Sequence, residues 1–196
     1  MSRPARYAKG LAKREEILNT ALEVIARTGY GRTSVRELAS AVGLSQAGLL
    51  HYFASKEELF AEILLKRDRV DHDRSEPEAG SEIAALASIV RHNAEVPGLV
   101  QLYARFSVEA TEPGHAAHEA FVRRYAEIRA LLSDEITTRQ QAGTLSPELD
   151  ARKVANLLIA VSDGLQAQWL LDPDFDMADH LDYLIDLLGL GRPAEG

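Results

Sequence analysis

Cysteine is absent from all 196 residues, which excludes disulfides and thiolate metal sites. No apolar run approaches the roughly 20 residues a membrane helix needs. The N-terminus has no apolar signal-peptide core, so a cytoplasmic protein is expected. Phosphate-loop and nucleophile-elbow patterns are missing as well. The expectation is therefore a protein that is not an enzyme and carries no cofactor.

Apolar residues make up 46% of the chain, as in a globular protein, and the length allows one large or two small domains. The net charge of −8 is unevenly spread. Residues 1–70 hold 12 Lys+Arg against 8 Asp+Glu, whereas residues 71–196 hold 10 against 22. The chain also opens with Arg3, Arg6, Lys9, Lys13 and Arg14 before its first acidic residue. That arm reads equally well as a groove- or backbone-following segment and as a disordered tail.

Hydrophobic spacing predicts a first helix over 12–28, with Ile17, Ala21, Leu22, Val24 and Ile25 inward and Gly29 as its stop. Ser34 and Glu37 form an S-x-x-E capping box that opens a second helix. Gly43 makes the turn and Ser45 caps a third helix carrying Leu49 inward. Ser55 and Glu58 repeat the capping box for a fourth. Two short helices around a glycine turn are the outline of a helix-turn-helix, whose second helix enters the DNA major groove. The positive half of the chain coincides with it, as phosphate binding requires.

The string from Thr33 to Leu59, T-S-V-R-E-L-A-x-x-x-G-L-S-x-x-x-L-x-x-Y-F-x-S-K-E-E-L, resembles the TetR family of bacterial transcriptional regulators over about residues 12–64. The resemblance implies an all-α homodimer with a small DNA-binding head (1–70, helix 4 leading onward) and a helical effector-binding and dimerisation body (71–196). It also implies roles. Thr33, Ser34 and Arg36 stand at the start of helix 2, with the two hydroxyls toward phosphate and Arg36 toward bases or backbone. Ser45, Gln46, Ala47, Gly48, Leu50 and His51 form the front of the reading helix. Gln46 suits adenine and the Ala47 methyl suits a thymine methyl. Tyr52 and Lys56 hold phosphates. The sequence departs from the family where Lys-Gly-Thr-Leu-Tyr is frequent: here stand Gln46-Ala47-Gly48-Leu49-Leu50. Two usual hydroxyls are gone, so the target sequence does not transfer, and Gly48 is a place for close approach to DNA.

Beyond helix 4, the polar stretch 71–81 with Pro77 and Gly80 reads as a loop between head and body. Helical segments follow over 82–95, 98–111, 116–141, 151–170 and 177–188, with Asp150 as a cap. The last two carry apolar stripes suited to a four-helix dimer interface, and Gly164 marks a close helix approach. Candidate effector contacts are His92, Tyr103, Phe106, Glu109, Tyr125, Asp163 and Gln166, polar or aromatic groups on apolar faces. His115 and His118 stand three apart but read better as solvated surface than as a metal site, as does Asp71-His72-Asp73. The leading expectation is a dimeric, effector-responsive regulator, a repressor in most of the family, binding double-stranded operator DNA. A constitutive DNA-binding dimer without an effector is the alternative.

Overall fold

The computed structural model describes residues 3–79 and 81–191, with side chains over 7–74 and 81–191. Gly80 and the side chains of Arg3, Arg6 and Pro77 therefore lie outside the described residues. All regular elements among the described residues are helical. They are α1 (Arg3–Thr28), a 3-10 turn (Tyr30–Arg32), α2 (Val35–Ala41), α3 (Gln46–Leu50) and α4 (Lys56–Ala79). Then come α5 (Glu82–Asn93), α6 (Pro97–Glu109), α7 (His118–Gln141), α8 (Ala151–Leu171) and α9 (Met177–Leu187). None of the helices is long and apolar enough to cross a membrane, among the described residues.

Two sequence expectations are corrected. Helix α1 begins nine residues before the expected Ala12. Tyr7 and Leu11 are exposed there, so the described side chains of that part form no buried stripe for periodicity to detect. The stretch 71–79 is helix rather than loop. Its polarity reports solvent contact at Asp73 and Arg74, while Asp71 is buried.

The chain forms two compact units, 1–70 with 96–120 and 71–95 with 121–196. Segment 96–120 thus groups with the head rather than with the body, because α6 packs on α1 and on the 3-10 turn. The approach there is close. A Cβ on Gly98 would stand 2.8 Å from Gly29 Cα, so only glycine fits the first turn of α6. Ile17, Leu18, Ile25, Leu38, Leu49, Phe53, Phe60 and Ile63 fill the first unit's core. Tyr30 joins the head to α6, with its ring edge-on to Phe60 at 5.2 Å and to Phe106 at 6.2 Å. Arg67, buried in α4, donates to the Leu99 carbonyl of α6 at 3.2 Å.

In the second unit, α9 packs on α8 and α5. Leu132, Ile136, Leu158, Leu165, Met177 and Leu181 are buried. Asp150 caps α8 through the Lys153 amide at 3.0 Å, as expected, and Asp176 caps α9. Glu135 of α7 receives the Ser81 hydroxyl (2.7 Å) and the Ile83 amide (3.0 Å), which pins the start of α5. Near the C-terminal end, Arg139 donates to the carbonyls of Leu190 and Gly191.

Candidate nucleic-acid interface

Local hydrogen bonds set the three short elements of the head. Ser34 Oγ accepts the Glu37 amide (3.2 Å), and the Glu37 carboxylate receives the Ser34 amide (2.6 Å). The box is reciprocal, so two otherwise unmatched donors are satisfied. The Ser34 amide bond holds the Glu37 carboxyl below its ordinary range. Gly43 takes the turn with φ +67°, a backbone that side chains rarely tolerate. Ser45 caps α3 through the Gly48 amide at 3.0 Å. Ser55 caps α4 through the Glu58 amide at 3.0 Å, and Glu58 reaches back to the Ala54 amide.

Two contacts far apart in sequence steady this frame, and no local pattern announces either. Lys13 of α1 donates to the Val42 carbonyl at 3.2 Å, just ahead of the Gly43 turn. Arg14 lies 4.8 Å above the Phe53 ring and pairs with Glu58 at 3.2 Å and Glu62 at 3.4 Å.

On this frame α3 buries Leu49 completely and exposes Gln46 and Ala47. Arg36 on α2, His51 and Lys56 are exposed as well, and Leu50 and Tyr52 are half-buried. The Lys56 ammonium stands 5.7 Å from the Phe60 ring centre, and the His51 and Tyr52 rings meet edge to face at 6.0 Å. Exposed amide, methyl and cationic groups on one short helix and its flanks offer what base edges and phosphates accept.

Thr33 takes a role other than the one expected, and Ser34 and Gly48 each serve a cap. Thr33 turns inward: it is buried, and its hydroxyl donates to the Gly29 carbonyl at 2.7 Å and meets Thr28 at 2.8 Å. The Ser34 hydroxyl donates to Glu37 at 2.9 Å, within the capping box. A Cβ on Gly48 would press on Ser45 Oγ at 3.2 Å, so the cap itself is a reason for glycine there.

The candidate effector residues fall in both units. In the first, Tyr103 and Phe106 are buried in α6. The Phe106 ring sits against Phe60 at 5.9 Å and His115 at 5.6 Å, and Glu109 pairs with Arg105 at 2.7 Å. In the second, the Tyr125 hydroxyl donates to Asp163 at 2.7 Å. Buried Gln166 accepts from Asn93 at 3.0 Å. Sequence reading missed Asn93, a polar residue at the end of an apolar stripe. His92 lies between Arg74 (2.6 Å) and Glu95 (2.9 Å). His115 and His118 have different partners: His115 Nδ1 accepts the Ala117 amide, and His118 Nδ1 meets the Ala110 carbonyl. Among the described residues, no group of three or more His, Asp or Glu is placed to hold a metal ion.

Comparison with known proteins places both parts of the chain. Residues 17–63 match the bacterial regulatory proteins of the tetR family, and residues 83–188 match the C-terminal region of BetI-type transcriptional repressors. The HTH-type transcriptional repressor Rv1474c of Mycobacterium tuberculosis is 27% identical over 161 residues, covering 80% of this chain and 82% of the relative. A TetR-family regulator from Rhodococcus sp. superimposes with a TM-score of 0.69 at 26% identity, covering 90% of this chain and 97% of that one. A transcriptional regulator from Saccharomonospora viridis, solved in complex with choline, gives a TM-score of 0.69 at 27% identity over 88% of this chain and 95% of the other.

Proposed function

This chain belongs to the TetR family of transcriptional regulators, and from that premise we propose that it is a dimeric repressor released from operator DNA by a small molecule. The observation that carries the reading is α3, which exposes Gln46 and Ala47 over a fully buried Leu49, with cations Arg36 and Lys56 beside it. In this reading Gln46 and Ala47 meet base edges, with Gly48, Leu50 and His51 close to them. Arg36, Tyr52 and Lys56 meet phosphates, while Ser34 and Ser45 hold the two short helices in place.

The body supports self-association. Leu157, Gly164 and Leu171 recur every seven residues along one face of α8. Leu157 is 54% and Leu171 87% exposed, and a Cβ on Gly164 would meet nothing within 4 Å. Among the described residues Gly164 therefore makes no close helix approach, but it leaves room for one from a second copy. On α9, Tyr183 and Leu187 are each 69% exposed. A symmetric four-helix contact covers such a face and pairs the two heads for half-sites about one helical turn apart.

Effector response is the third element. A bound molecule weakens operator affinity only by its differential affinity for the two states of the body. The polar pairs Tyr125–Asp163 and Asn93–Gln166 are the groups of the second unit best able to recognise one. The solved relative held choline, so choline is the first molecule to try. A regulator of this kind works in the cytoplasm.

The test is electrophoretic binding of the purified protein to DNA upstream of its own gene, with and without added compounds. A salt-sensitive, sequence-selective complex is expected, and its absence overturns the reading. A thermal-shift screen separates effector response from constitutive binding, because a ligand at 100 times its Kd adds about 2.7 kcal/mol of stability.

A further inference from the structure

We propose that Glu135 and Arg139, one turn apart on α7, form a charged joint that positions α9 for self-association. This rests on the proposed pairing of two copies through α8 and α9 and extends it to residues that are not part of that face.

The apolar groups α9 leaves in solvent, Tyr183 and Leu187, sit at its far end, and Leu187 is the last residue of the helix. The chain reverses directly after it. Gly189 takes φ +68° and donates its amide to the Asp186 carbonyl at 2.9 Å. The Leu190 amide donates to the Ile185 carbonyl at 2.9 Å, and the Leu190 side chain is buried. Carbonyls past a helix end have no intrahelical partner. Here one guanidinium takes two of them: Arg139 Nη1 donates to the Leu190 carbonyl at 2.7 Å and Nη2 to the Gly191 carbonyl at 3.1 Å.

The same guanidinium is tied to the start of α5. Arg139 Nη1 lies 3.7 Å from Glu135 Oε1, and Glu135 accepts the Ser81 hydroxyl and the Ile83 amide. Two side chains of α7 thus hold the first residues of α5 and the residues that follow α9. Their side chains are only 14% and 17% exposed, and charges so far from water are costly to desolvate. A second pair, Arg91–Asp182, also ties α5 to α9, but at 59% and 44% exposure solvent screens it.

Apolar packing of α9 on α8 and α5 is non-directional and does not by itself fix a helix along its axis. A planar fork on two carbonyls does, because both its distance and its direction are set. It acts three residues past Leu187. A surface held in place before association loses less freedom when it associates. Arg139 is therefore a positioning residue that acts through α9, with Glu135 holding it in turn.

The experiment is sedimentation of the full-length protein over a concentration series, with far-UV circular dichroism and hydrogen exchange at the Leu190 amide. Wild type is compared with Arg139→Lys, Arg139→Ala and the exposed-pair control Arg91→Ala. Arg139→Lys keeps the charge and loses the fork, which guards against loss of the fold in Arg139→Ala. It should raise the dimer Kd about tenfold, the worth of one charge-assisted hydrogen bond, with wild-type helicity and faster exchange at Leu190. Arg139→Ala should raise the Kd further, and Arg91→Ala should stay within about twofold of wild type. A wild-type Kd in Arg139→Lys overturns the proposal whatever the exchange shows, as does an equal rise in Arg91→Ala. Loss of helicity in Arg139→Lys assigns the joint to folding in general and overturns it too. A wild type that stays monomeric at every concentration sinks the self-association reading and this proposal with it, whereas a wild-type dimer unmoved by Arg139→Lys sinks this proposal alone.

Discussion

In the head, Ser34 meets Glu37, Ser45 meets Gly48 and Ser55 meets Glu58, each pair three residues apart. In the body, Ser81 meets Glu135, Asn93 meets Gln166 and Arg139 meets Leu190, pairs separated by 54, 73 and 51 residues. The head has distant contacts too, Lys13 with Val42 and Arg14 with Glu58, and the body has local bonds at Asp150, Asp176, Ser162 and Gln166. The difference is that each short helix of the reading surface is set by a cap written within four residues. A surface built from neighbouring residues keeps its shape through small changes elsewhere, as a DNA-reading element needs. An interior built from distant partners shifts as a whole when one partner moves, as a ligand-responsive body needs.

Substitutions that distinguish the two regions put this contrast at risk. The largest effect is expected for Phe60→Ala. Phe60 is fully buried against Tyr30 and Phe106, and such a truncation costs about 3–5 kcal/mol. Urea unfolding should record that loss, with DNA binding abolished alongside it. Next comes Asn93→Ala, which leaves the buried Gln166 carbonyl oxygen without this donor and should cost about 1–3 kcal/mol. Its diagnostic sign is a changed response to effector with little change in effector-free operator affinity. Ser34→Ala removes one cap from a local frame and should cost about 0.5–2 kcal/mol by the same unfolding measurement. If it disturbs the body as much as Asn93→Ala does, the contrast between local and distant wiring is wrong.

The smallest effect is a pH dependence. The folded-state pKa of Glu37 lies below its unfolded value because the Ser34 amide binds the carboxylate. Its stabilisation is present in full above the ordinary carboxylate range and fades as pH falls through the depressed value. The difference in urea midpoint between wild type and Glu37→Gln should therefore narrow on going from neutral pH to pH about 3.

Much of the head was legible because its signals are short. The Ser34–Glu37 box, the Gly43 turn and the Ser45 and Ser55 caps are written in adjacent residues, and each stands where expected. Thr33 shows the limit: its hydroxyl looks available in sequence but turns to the Gly29 carbonyl. The early start of α1 and the continuation of α4 past residue 71 escaped for a shared reason. Neither stretch carries an apolar stripe in its sequence, and composition alone reads such helix as tail or loop. In the body, helix positions followed from periodicity, yet the pairing of Tyr125 with Asp163 and of Asn93 with Gln166 did not. Nothing near either member in sequence points to its partner. Gly98 is similar, since only the packing of α6 on Gly29 explains it.

The central claim is that α3 reads bases while its flanks hold phosphates. Selection from randomised duplex DNA by wild type, Gln46→Ala and Lys56→Ala tests it most directly. The wild type should enrich an inverted repeat. Gln46→Ala should change preference at one base pair in each half-site, by about 1–3 kcal/mol, and Lys56→Ala should weaken all sequences alike with the motif intact. Failure of the wild type to enrich any motif, or equal losses on operator and random DNA for both variants, would contradict it.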